Sequence, residues 1–175
     1  MTKQKKTLKK IESGKNHYVL VTQPKELKEI IKKKQNALKI AKEKVQNNGK
    51  IESALFTGEA FGRALFEEYL KNKAKKWTIE KWLKPVVENI FNPMGMGATF
   101  TEITNSQIKT LIFRYNNVFE EQNNQYINSL FTYGYLRGMF LSAFPNGELI
   151  LKSSMAMGAP MDIFTFKTDY FENEN

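Results

Sequence analysis

Tyr133-Gly134-Tyr135-Leu136-Arg137-Gly138, followed by Ser154-Met155-Ala156-Met157-Gly158-Ala159-Pro160, decides how this chain is read. The first segment reads as an apolar helix with two glycines on one side, the second as a turn between two strands. Each glycine inside a helix costs roughly 1 kcal/mol relative to alanine. A Gly-x-x-x-Gly pair therefore implies an offsetting gain, and close packing against another backbone supplies one. The helix is expected from Gln125 to Phe144, ended by Pro145-Asn146-Gly147. Asn128, Ser129, Thr132 and Arg137 interrupt its apolar run well short of the roughly 20 residues that cross a bilayer, so it reads as a central core helix.

Working outward, the same spacing recurs at Gly58 and Gly62, inside a helix expected from Ile51 to Lys73. Its apolar side runs through Leu55, Phe56, Ala60, Phe61, Ala64, Leu65, Tyr69 and Leu70. An earlier helix is expected from Pro24, tolerated in a first turn, to Asn47, where Asn48-Gly49 stops it. Its stripe of Leu27, Ile30, Ile31, Leu38, Ala41 and Val45 is interrupted by Lys34, so docking along part of its length is expected. A third helix starts at Thr78, with Glu80 in its first turn, and carries Trp82, Val86, Val87, Ile90 and Phe91.

Ala98–Thr104 and Ile108–Tyr115 flank Asn105-Ser106-Gln107 as a hairpin. Alternation puts Lys109, Leu111, Phe113 and Tyr115 on the more apolar face, expected to meet the helices. Glu148–Ser154 and Asp162–Thr168 form a second hairpin, and His17–Gln23 a short strand after a basic tail of residues 1–15. The expected architecture is α+β: an antiparallel four-stranded sheet with helices packed on one face. Two regions are expected, a basic segment over residues 1–50 and an α+β domain over residues 51–175.

The net charge of +9 is uneven. Residues 1–50 hold fifteen lysines against four acids, a net +11, and the remainder is −2. An anionic membrane surface is a candidate partner for that segment. The lack of arginines and interleaved aromatics argues against nucleic acid. Without cysteine there is no disulfide, no thiolate nucleophile and no Cys-based metal site. The polar, basic start lacks the apolar region of a secretory signal, so a cytoplasmic protein, peripheral to a membrane at most, is expected.

The catalytic inventory is thin. His17 is the single histidine, with no acid near it in sequence placed to orient it. Glu67-Glu68 does not converge, because helical neighbours point about 100° apart, and Glu120-Glu121 falls in an expected polar loop. No phosphate-binding loop or nucleophile elbow is present. The expectation is a non-enzyme with no cofactor and no metal. An apolar pocket bordered by Phe61, Leu65, Trp82, Phe91 and Met94 is the candidate ligand site. Gly58, Gly62, Gly134, Gly138 and Arg137 are the candidates for close helix packing or an interface.

From about Leu55 to Lys167 the chain resembles the 4-vinyl-reductase-type domain superfamily, shared by TRAPP vesicle-tethering small subunits and haem/nitric-oxide-binding domains. The resemblance rests on Phe56-x-x-x-x-Phe61-Gly62, Gly95-x-Gly97, Tyr133 to Gly138, and Ala156-Met157-Gly158-Ala159-Pro160 with Phe164. Where prokaryotic members typically carry cysteines around the last hairpin, this chain has Ser154 and Asp162, so thiol chemistry does not carry over. The resemblance implies a dimeric scaffold of TRAPP small-subunit type, archaeal or bacterial, pairing with itself or with related small subunits. Its alternative is a sensor domain holding a small hydrophobic molecule.

Overall fold

Between Gln125 and Ala143 the only charged residue is Arg137, and a helix apolar on every side has to be enclosed on every side. The computed structural model, which describes residues 11–13, 16–18, 25–79, 81–82, 96–104, 107–114, 125–154, 157–160 and 162–168, shows that enclosure. The elements in chain order are strands β1 (Ile11–Ser13) and β2 (Asn16–Tyr18), then helices α1 (Lys25–Asn48) and α2 (Glu52–Leu65). After α2 come a π-helical turn, Phe66–Leu70, and a 3-10 turn, Lys71–Lys73. Strands β3 (Met96–Thr104) and β4 (Gln107–Arg114), helix α3 (Gln125–Ala143), and strands β5 (Glu148–Ser153) and β6 (Asp162–Lys167) complete the order.

Helix α3 is the middle layer. Phe131, Gly134, Tyr135 and Gly138 lie on the side facing α2, as the glycine contacts show. On the other side Phe140 packs edge-on to Phe166 of β6, with ring centroids 5.1 Å apart, and Tyr133 stacks on Phe164 at 6.1 Å. Ten of its residues are buried. Helix α1 lies antiparallel to α2, held by Lys33 to Glu68 near one end and Lys44 to Thr57 near the other. It ends at Gly49, whose φ of +68° suits glycine and whose amide donates to the Val45 carbonyl at 2.9 Å.

The expectation of one four-stranded antiparallel sheet with helices on one face has to be corrected. Helix outweighs strand, and the strands fall into two sheets: a two-stranded antiparallel sheet, β1-β2, and a second sheet of order β3-β4-β6-β5. The two-stranded sheet begins inside the stretch read as a basic tail, and β2 starts one residue before the strand expected there. Nor is the second sheet covered on one side alone. Phe164 and Phe166 take the helix-facing positions of β6, yet Thr165, on the opposite face by strand alternation, is also fully buried. Only the broad α+β description remains.

The facing of β4 is reversed as well. In register, Ile108, Thr110 and Ile112 stand opposite Phe166, Phe164 and Asp162. Cross-strand partners share a face, so these positions lie on the side where β6 meets α3. Positions 109, 111 and 113 lie on the other. The expected third helix is described only at its start, where Thr78 accepts the Lys81 amide through its hydroxyl at 3.3 Å and Trp82 is buried.

Candidate functional site

The crossing of α2 and α3 is built from all four glycines that the sequence singles out. A Cβ added to Gly58 would stand 2.2 Å from the Phe131 carbonyl oxygen, and one on Gly62 2.1 Å from that of Tyr135. Reciprocally, a Cβ on Gly134 would meet the Leu55 oxygen at 2.1 Å and one on Gly138 the Glu59 oxygen at 2.2 Å. Both residue numbers rise together across the contact, so the helices run parallel. Two Gly-x-x-x-Gly pairs thus interlock within one chain, backbone against backbone. Such closeness favours dispersion and Cα–H to carbonyl contacts, which offset the propensity cost of four helical glycines. Because the contact is intramolecular, these glycines are not available as a surface for another chain.

Around the crossing the large side chains fill what the glycines leave. The Phe61 ring stacks on Phe131 at 5.9 Å and meets Tyr135 edge-on at 6.1 Å. Across the seam Arg137 donates to a Glu59 oxygen, and Arg63 donates to the other at 2.7 Å. One largely buried carboxylate therefore receives two guanidinium groups, one from each helix. On the far side of α3 the Tyr133 hydroxyl donates to the Leu149 carbonyl at 2.8 Å. Burial pushes that phenol above its ordinary range against the opposing pull of Arg137, so it remains a donor at neutral pH.

A second set of contacts ties α1 to the π-helical turn. The Lys33 ammonium donates to both Glu68 oxygens, at 2.7 and 2.8 Å, and to the Tyr69 hydroxyl at 3.2 Å. Those bonds raise the lysine well above its usual range, and the lysine in turn lowers Glu68. Lys34, the apparent interruption of the apolar stripe, holds its ammonium 5.5 Å from the centroid of the Tyr135 ring. Its aliphatic stem lets a charged residue occupy a packed position.

The apolar pocket expected around Phe61, Leu65, Trp82, Phe91 and Met94 does not form one space where it is described. Leu65 and Trp82 are buried in the core. Trp82 packs on Phe140 at 5.4 Å and on Phe166 at 5.0 Å, whereas Phe61 packs on Phe131 and Tyr135. Phe131 and Phe140 are nine residues apart on α3, about 13 Å along the axis and on opposite sides. Phe91 and Met94 lie outside the described residues.

Ser154 and Asp162 are both buried, and the hydroxyls of Ser129 and Ser154 share a hydrogen bond of 2.7 Å. Register places Glu12 of β1 opposite His17 of β2, an acid the linear reading passed over. Among the described residues no group of three or more metal-ligating side chains gathers, and no helix is long and apolar enough to cross a membrane.

Sequence reasoning missed Glu59, Lys33 and the exposure of Phe56. Glu59 and Arg137 are 78 residues apart, and nothing local announces their pairing. Phe56, expected on the packed side of its helix, is 64% exposed. No family model, curated protein or solved structure matches the chain.

Proposed function

We propose that this protein is a non-catalytic scaffold that works as a homodimer, in the manner of the TRAPP small subunits it resembles, in the cytoplasm. The observation that carries the reading is Phe56, a large apolar side chain left 64% exposed at the start of the second turn of α2. Burying a phenylalanine against a partner is worth roughly 1.5–3 kcal/mol. A rigid core supports the same role. With the glycine crossing and its aromatic surround fixing α2 against α3, an outer helix face is presented without rearrangement on binding. The lysine-rich α1 supports a peripheral position beside an anionic surface, at about 1 kcal/mol per near-surface lysine.

Sedimentation equilibrium of the full chain tests the reading. The expected result is a mass twice the 20.3 kDa of the chain, persisting at micromolar concentration. A single species at the monomer mass up to tens of micromolar refutes it.

A further inference from the structure

The outer face of the α1–α2 hairpin carries one continuous apolar strip. Lys33 reaches Glu68 and Lys44 reaches Thr57, which fixes the register of the antiparallel pair. Ile40 stands seven residues after Lys33 and four before Lys44, so it shares their side of α1. Ala64 stands seven after Thr57 and four before Glu68, and shares theirs on α2. Ile40 therefore stands level with position 61 of α2, between Ala60 and Ala64 and between the two cross-helix contacts. Ala60 and Phe56, at successive four-residue steps, carry the strip along the solvent side of α2. All four are exposed, Ile40 at 46% and Phe56 at 64%.

Charge selects the occupant. Helix α1 holds eight lysines against three glutamates, a net +5. From Glu52 to Leu70, α2 and its π-helical turn hold four glutamates against one arginine, a net −3. A two-fold axis along the hairpin, between its helices, lays α1 of one copy over α2 of the other, so each positive helix meets a negative one twice. The reverse alignment, α1 on α1, sets +5 against +5. We infer that the strip is the seat of a second copy of this chain, with α1 crossing onto the partner's α2 around Ile40, Phe56, Ala60 and Ala64. This rests on the homodimer reading above and names its surface and its pairing.

Paired charge reversals test it. Lys32, Lys39, Glu52 and Glu67 are exposed rim residues whose replacement leaves the core intact. One variant is Lys32→Glu with Lys39→Glu, and the other is Glu52→Lys with Glu67→Lys. Alone, the first cuts α1 from +5 to +1 against −3 and the second turns α2 from −3 to +1 against +5, and each is expected to weaken the dimer by about ten-fold or more. Mixed in equal amounts, each mixed pair regains one native contact of +5 against −3, so a heterodimer forms that mass spectrometry separates from either parent. Far-UV circular dichroism checks that both variants remain folded. A wild-type dimer that neither variant weakens and that mixing does not alter overturns the surface but leaves the homodimer reading standing. A monomeric wild type overturns both. If that monomer binds phosphatidylserine vesicles and the α1 variant does not, the basic face belongs to a lipid surface and the second-copy assignment is wrong.

Discussion

The side of α2 that meets α3 and the side that meets solvent are both built from small residues at four-residue spacing. Inside are Gly58 and Gly62; outside are Ala60 and Ala64, with Phe56 one step before them. The difference between them is a single methyl group. Glycine lets two backbones approach until a carbonyl oxygen occupies the place of the missing Cβ, and that closeness is used up within the chain. Alanine keeps the helix surface low but leaves a normal interhelical distance, and nothing in the described chain covers it. Spacing of small residues alone therefore does not say whether a helix face is interior or an assembly surface. The third element does: a matching pair on a helix with almost no charge.

Breaking the inner side from the opposite helix has the largest expected effect. Gly138→Leu forces a branched side chain onto the Glu59 carbonyl, with no flexible neighbour to yield. The loss should exceed about 3 kcal/mol, read as collapse of the urea midpoint or absence of folded protein. A Gly138→Leu protein with near-native stability would mean that the helices can separate cheaply.

The smallest effect belongs to the exposed tie between α1 and the π-helical turn. The Lys33 bond lowers Glu68, so the stabilisation is complete above the ordinary glutamate range and is lost as pH falls below that range and through the lowered value of Glu68. Lys33→Met should lower the urea midpoint slightly at pH 7, with the two proteins converging once Glu68 is protonated in acid. A gap that persists undiminished in acid would assign the effect to packing of the lysine stem instead.

Helix α3 was legible because charge is nearly absent from it, and enclosure follows from that fact. The stop at Asn48-Gly49 was legible because the positive φ there is one that few residues other than glycine adopt. What covers each face was not. On β4 the two alternating sets, Ile108, Thr110 and Ile112 against Lys109, Leu111 and Phe113, differ too little in apolarity to choose a side; the register with β6 chooses it. Lys34 looked like a break in a stripe because its charge was weighed and its stem was not. Phe56 was placed inside because a phenylalanine near a helical stripe is usually packed, and only the position of α3 shows which arc of α2 remains open. For the candidate site, the glycines were visible as a need for closeness, but their mutual partnership across about 76 residues was not.

The most direct measurement is urea denaturation of Gly62→Ser and Ala60→Ser compared side by side in dilute solution. The same side chain is introduced two residues apart, once against the Tyr135 backbone and once into solvent. The account predicts a loss of about 2 kcal/mol or more for Gly62→Ser and no more than about 0.5 kcal/mol for Ala60→Ser. Equal losses at the two positions would contradict it.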